Sequence, residues 1–240
     1  GRYESAAIKT DGTLWAWGNN SQGALGQNNI TQYSSPVQVG SDTTWSGIFL
    51  AAKNAYGVKT DGTLFTWGDN EFGALGHNNV DVFYSSPVQL PGTTWSSSKY
   101  KWGGGFRSAT TIKTDGTLWS WGYNEYGQLG QNNKTQRSSP VQVPGTTWKY
   151  VSASGGQYAK AVAATKTDGT LWTWGQNSEG CLGHNNTTNI SSPTQVPGTT
   201  WDRVDFGATL IIATKTDGTL WSWGQENFGA LGHGDVVKRS

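Results

Sequence analysis

Five aspartates recur inside one short phrase, at Asp11, Asp61, Asp115, Asp168 and Asp217, each preceded by Lys-Thr and followed by Gly. Carboxylates can share a proton or hold calcium, but only when two or more reach the same point. These five are spaced 50, 54, 53 and 49 residues apart. One per unit, they are expected more than about 10 Å from one another, so they are read as turn formers, the ordinary work of Asp before Gly. His77, His184 and His233 share one slot, filled elsewhere by Gln27 and Gln131, with no cysteine companion and no i,i+4 spacing. That pattern does not make a zinc site. Cys181 stands where Ala24, Ala74, Gln128 and Ala230 stand in the other units. A small buried residue is expected there, and a lone cysteine excludes an internal disulfide. Nucleophile elbow, phosphate loop and dinucleotide fingerprint are all missing from the sequence. The reading is therefore a non-enzyme with no catalytic residue, no metal ligand and no cofactor.

The totals narrow the classes further. The chain has 240 residues, 17 basic and 16 acidic, for a net charge of +1. Such a balance argues against a nucleic-acid footprint or a polybasic membrane patch. No apolar run is long enough for a membrane-spanning helix, so membrane insertion is not expected. The sequence starts at Gly1, has no methionine and shows no signal-peptide pattern, which points to a mature product or a fragment. Glycine (34) and tryptophan (14) are abundant, a composition that favours short strands and tight turns.

What must position these residues is a repeat. KTDGTLWAW at Lys9–Trp17 returns as KTDGTLFTW, KTDGTLWSW, KTDGTLWTW and KTDGTLWSW. SSPVQ or SSPTQ follows four times, and TTW ends at Trp45, Trp95, Trp148 and Trp201. Constant order at a period near fifty residues marks one supersecondary unit per repeat. Ala6–Lys9 and Thr13–Trp17 read as strands around an Asp-Gly turn. WGxNxxGxLG reads as a compact loop, Pro36–Val39 as an outer strand because proline cannot donate to a central ladder, and Trp45 to Ala51 as a fourth strand. In TLWxW, Thr13, Trp15 and Trp17 face one side and Leu14 and Ala16 the other. The fold class is all-β: a β-propeller of four-stranded antiparallel blades, about five of them, in a single domain over 1–240 with repeat cores near 1–45, 46–95, 96–148, 149–201 and 202–240.

The phrase AxKTDGTLWxWGxNxxGxLG, with SPVQV and TTWxxV after it, resembles the regulator of chromosome condensation repeat family over essentially the whole chain. The resemblance implies β-propellers of roughly fifty-residue blades, commonly seven. The near-identity of the copies resembles a bacterial or bacteriophage branch. Five hairpin cores stand against four copies of SSPxQ…TTW, which leaves open a fragment of a larger ring, a five-bladed ring closed by further residues, or an open arc completed by another chain. Tryptophan-based light sensing, known in a plant branch of the family, is set against the fact that thirteen of the fourteen tryptophans fall at repeat-equivalent slots, Trp102 being the exception.

Recognition is expected where the copies differ, since binding residues sit on loops held by a rigid frame. The segment after the strand that follows TTW varies: Arg2 and Tyr3, Lys53 and Asn54, Phe106 and Arg107, Gln157 and Tyr158. The third unit carries extra residues with Tyr100 and Trp102, and the WGxN loop carries Tyr123 and Tyr126. Tyr, Trp and Arg are the types that carry interface energy. The expected function is a non-catalytic binding module presenting this loop face to a protein or glycan, in a virion tail or surface component or an extracellular adhesin, with a cytoplasmic location left open and assembly with further copies or a longer chain allowed. Two other readings stand beside it: guanine-nucleotide exchange on a small GTPase, with Ser96–Gly105 as a modest wedge, and inhibition of a secreted enzyme.

Overall fold

The computed structural model describes residues 3–51, 53–105, 107–154 and 160–240. In chain order the first sheet is β1 (Glu4–Ile8), β2 (Leu14–Gly18) and β3 (Tyr33–Gln38). The second is β4 (Trp45–Ala51), β5 (Asn54–Lys59), β6 (Leu64–Gly68) and β7 (Tyr84–Leu90). The third is β8 (Trp102–Gly105), β9 (Ser108–Ile112), β10 (Leu118–Gly122) and β11 (Arg137–Val143). The fourth is β12 (Trp148–Ala153), β13 (Ala161–Lys166), β14 (Leu171–Gly175) and β15 (Ile190–Val196), and the fifth β16 (Trp201–Phe206), β17 (Leu210–Lys215) and β18 (Leu220–Gly224). Each sheet is an antiparallel meander, so the all-β expectation holds; the four-strand unit is complete in the second, third and fourth sheets, the first and fifth having three strands, and β4 has the bounds the sequence implied. The first strands β4, β8, β12 and β16 touch one another in succession, which puts them on the axial side.

The TDG phrase closes each hairpin by a local network. Asp115 Oδ1 accepts from Thr117 N at 2.9 Å and from Thr117 Oγ1 at 2.6 Å, and Thr117 Oγ1 accepts from Trp119 Nε1 at 2.9 Å. Gly12 has φ +81°, and a Cβ there would lie 1.9 Å from the Thr43 carbonyl oxygen, so no side chain fits. The same glycines link neighbouring blades: the backbone N of Trp45, Trp95, Trp148 and Trp201 donates to the carbonyl of Gly12, Gly62, Gly116 and Gly169.

At the other end of the blades the WGxN asparagine organises the long loop from inside. Asn124 is buried; its Oδ1 accepts from Leu129 N at 2.9 Å and its Nδ2 donates to the carbonyls of Asn133 and Thr135. Asn20, Asn70 and Asn177 repeat the arrangement. In the fifth unit Glu226 replaces the amide and its two oxygens accept from Ala230 N and Leu231 N at 2.7 Å. The first three loops are then tied to the next blade, as where Asn78 N donates to Ser138 O at 2.7 Å.

The core lies between blades. One cluster joins Ile112, Leu118 and Val143 of the third sheet to Trp148, Val151, Val162 and Trp174 of the fourth. Three further clusters straddle the other boundaries. Burying each large side chain stabilises by roughly 1.5–3 kcal/mol, so propeller stability is concentrated at these seams.

Candidate functional site

The repeated chemistry-bearing residues are structural in their contacts. Each TDG aspartate is occupied by its own threonine, and those hydrogen bonds hold the carboxyls of Asp11, Asp61, Asp115, Asp168 and Asp217 below the usual range. His77 Nε2 lies 2.8 Å from Thr66 Oγ1 and His184 Nε2 2.9 Å from Thr173 Oγ1, and burial pushes both imidazoles down. Among the described residues no three His, Cys, Asp or Glu side chains gather as metal ligands. Cys181 is buried and its thiol is pushed up to about 11 by desolvation.

The lysine of each phrase has a part that the sequence did not announce. Lys113 Nζ lies 4.3 Å from the Trp95 ring centroid and 4.2 Å from that of Trp119. Lys166 sits likewise between Trp148 and Trp172, Lys215 between Trp201 and Trp221, and Lys59 between Trp45 and Phe65. These cations are held over aromatic faces.

The varied residues gather into two groups. The first lies on the rim formed by the strand turns and the WGxN loops. Arg107 stands 4.2 Å from the Phe72 ring centroid and 5.8 Å from that of Tyr123, with its guanidinium 3.8 Å from the Glu71 carboxylate. Phe72 meets Tyr123 edge-on at 5.2 Å, Tyr123 meets Tyr126 at 6.4 Å, and Lys160 Nζ lies 4.9 Å from the Tyr126 ring. Lys53 pairs with Asp69 at 3.7 Å nearby in the same type of loop. Three aromatic rings thus run between two cations across the second, third and fourth blades.

The second group lies on the axial strands. Ladder register places Trp102 opposite Thr111, and the isolated bridge Trp95–Lys113 matches the pair Trp148–Lys166. Trp102 therefore occupies the position held by Ile48, Val151 and Val204, and is in register after all. Ser96–Lys101, ending in a 3-10 turn at Lys99–Lys101, stands in the place of Lys149–Tyr150, and this length difference hid the match. Trp102 stacks on Phe49 at 4.6 Å and donates its indole N–H to Ser96 O at 2.6 Å. Tyr100 meets Tyr150 edge-on at 6.1 Å, and the Arg203 guanidinium lies 4.8 Å and 5.4 Å from their two rings.

With the geometry in view, the sequence signature of the regulator of chromosome condensation (RCC1) repeat matches residues 11–50, 61–98, 115–160 and 168–211. The chain belongs to the RCC1 repeat family. Human protein RCC2 is 35% identical over 86 residues, covering 35% of this chain and 16% of RCC2. The structure of human WBSCR16 superimposes with TM-score 0.80 and 21% identity over 100% of this chain and 64% of WBSCR16. Prp20p of Saccharomyces cerevisiae gives TM-score 0.74 and 19% identity over 96% of this chain and 57% of Prp20p. The chain thus spans less than two thirds of each, and the two structures speak to the propeller fold. These three relatives are eukaryotic, and the bacterial or bacteriophage branch expected from the copies' near-identity gains no support from them.

On this RCC1-repeat frame, Arg107, Tyr123 and Tyr126 come together on the rim, with Phe72, Glu71 and Lys160 as contributors that sequence reasoning did not place beside them. Tyr100 and Trp102 come together on the axial side, with Tyr150 and Arg203 as residues it missed. Tyr3 is exposed at the start of the first sheet. Asn54 opens β5 and is fully buried against Tyr56, so it does not reach the surface. Arg2, Phe106, Gln157 and Tyr158 lie outside the described residues. Among the described residues no helix is long and apolar enough to cross a membrane.

Proposed function

We propose that this chain is a non-catalytic protein-recognition segment of an RCC1-type propeller, which engages its partner through the rim of Phe72, Arg107, Tyr123, Tyr126 and Lys160. The observation that carries this reading is the run of three aromatic rings flanked by two cations across three blades, on loops whose backbone is fixed by buried asparagines. Rigid aromatic and guanidinium groups are the usual anchors of an interface, since they bury much area for little lost freedom. A protein partner fits this better than the glycan, virion or adhesion roles that sequence reading entertained, which the relatives give no reason to keep. Affinity capture with the chain as bait, quantified for the wild type, Y123A/Y126A and a TDG-face variant such as T146A, tests it. The expected result is a protein retained by wild type and T146A and lost with Y123A/Y126A. Partners indifferent to the rim double variant would sink the reading.

A second reading is guanine-nucleotide exchange on a small GTPase. It is favoured by the likeness to Prp20p, whose structure is described together with its binding to Gsp1p and histones, and by the extra Ser96–Lys101 segment as a wedge. Release of labelled GDP from Gsp1p should then accelerate when the chain is added. An unchanged release rate would remove this reading while leaving the first in place.

A further inference from the structure

We infer that the axial groove beside the Ser96–Lys101 segment is a second docking surface, distinct from the rim, and that its occupant is an acidic peptide segment carrying one large apolar residue. The inference does not depend on the rim reading.

Two adjoining concavities carry it. The larger, of about 340 Å³, lies between β4 and β8 and is walled by Phe49, Leu50, Tyr56 and Trp102. Gly103 and Gly104 of β8 line it as bare backbone, and a Cβ at either would meet packed neighbours, Ala153 N at 3.1 Å or Ser108 O at 2.6 Å, so this strand approaches β9 and β12 as closely as it does because it carries glycine. A wall of this kind takes an apolar anchor, and its volume lies within the range of small binding pockets. The smaller concavity spans β8, β12 and β16 and is lined by Lys99, Tyr100, Tyr150, Arg203 and Asp205. Lys99 and Trp102 line both, so the apolar and the charged part are contiguous.

Charge decides the occupant. Among the residues that line the two concavities, Lys99 and Arg203 stand against Asp205, an excess of one positive charge, with Lys149 and Asp202 flanking them in sequence. Lys149 is already paired with Asp202 at 2.7 Å. Neither Lys99 nor Arg203 makes an ion pair among the described residues, although Arg203 is held in place by the Tyr100 and Tyr150 rings. Lys99 Nζ lies 5.0 Å from the Tyr100 ring centroid, and the residue is exposed. A fixed guanidinium and an exposed ammonium beside an apolar pocket match a carboxylate flanking a Phe or Leu side chain. Strand edges along the axis give the segment's backbone somewhere to lie.

The test is fluorescence anisotropy with the whole chain and a labelled peptide of about a dozen residues, glutamates around a central phenylalanine. Saturable binding is expected, weakened at least about tenfold when glutamine replaces glutamate or serine replaces phenylalanine, and weakened further as salt rises. Arg203→Gln and Lys99→Gln, both at exposed positions, should each weaken it several-fold with the folded state retained by circular dichroism at the assay temperature, and Y123A/Y126A should leave it unaltered. Equal affinity for the glutamine peptide overturns the proposal. So does indifference to both charge variants, loss confined to Y123A/Y126A, or a single-stranded oligonucleotide that outcompetes the glutamate peptide.

Discussion

The indole Nε1 of Trp121 donates to the carbonyl oxygen of Ala74 at 2.7 Å, across the boundary between the second and third blades. The same bond recurs from Trp67 to Ala24, from Trp174 to Gln128 and from Trp223 to Cys181. The last tryptophan of the hairpin phrase in the second to fifth units is therefore the staple that joins a blade to its predecessor's loop. Ala74 O also accepts from Tyr56 Oη at 3.0 Å, whereas Trp174 is the side-chain donor found for Gln128 O among the described residues. Trp174→Phe leaves a buried carbonyl without that donor, and Trp121→Phe does not. Both variants lose packing, but Trp174→Phe should be the less stable of the two by about 1–2 kcal/mol. Urea midpoints of the two proteins check this, and equal midpoints would contradict the staple.

Much of this was legible in the sequence because the repeat states local chemistry five times. Asp-Gly fixes each hairpin, proline marks the outer strand, and the Trp spacing fixes which residues face a seam. What sequence did not reveal depends on pairs separated by about one blade. Tyr150 and Arg203 look like ordinary substitutions after TTW until the axial strands bring them onto Tyr100. Lys113 looks like a hairpin-flanking residue until Trp95 folds over it. Asn54 belongs by sequence to the variable segment with Lys53, but β5 begins at that residue and turns it inward.

Cys181 supplies a chemical check. Its slot is a seam position, its carbonyl holds Trp223, and burial pushes its thiol up to about 11. Thiolate is the reactive form, so in the native protein at neutral pH an aromatic disulfide reagent should label Cys181 slowly, and in denaturant at once. Cys181→Ala should fold with stability close to the wild type, because alanine fills the same slot at Ala24, Ala74 and Ala230. Fast native labelling would place the thiol outside the seam.

The lysine between two tryptophans predicts a charge effect at a seam, where its acidic neighbour is the Asp168 carboxylate of the same turn. Lys166 lies 4.6 Å from Trp148 and 4.4 Å from Trp172. Lys166→Met keeps the aliphatic stem and removes the cation, and should cost about 1 kcal/mol in a denaturation experiment. Trp172→Phe, which supplies the ring that the second repeat has at Phe65, should cost part of that, since phenylalanine holds a cation more weakly than tryptophan. An unchanged midpoint for Lys166→Met would show that the rings gain nothing from the charge.

The turn aspartates link the fold to pH. Asp168 is held below its usual range chiefly by the Thr170 hydroxyl, and then by the Thr170 backbone N–H. A carboxyl depressed in the folded state contributes stability that is complete above its unfolded value near 3.8 and is lost as pH falls towards the folded value. In that window the unfolded chain takes up the proton and the folded one resists it. All five turn aspartates are shifted the same way, so stability should fall steeply below about pH 4. Asp168→Asn retains an oxygen acceptor for Thr170 but cannot titrate. Its stability between about pH 2.5 and pH 6 should therefore vary less than that of the wild type, by up to the uptake of one proton, while the two proteins differ little at neutral pH. Parallel curves for the two proteins across that range would mean that the Asp168–Thr170 bonds are no stronger in the folded turn than in the open chain.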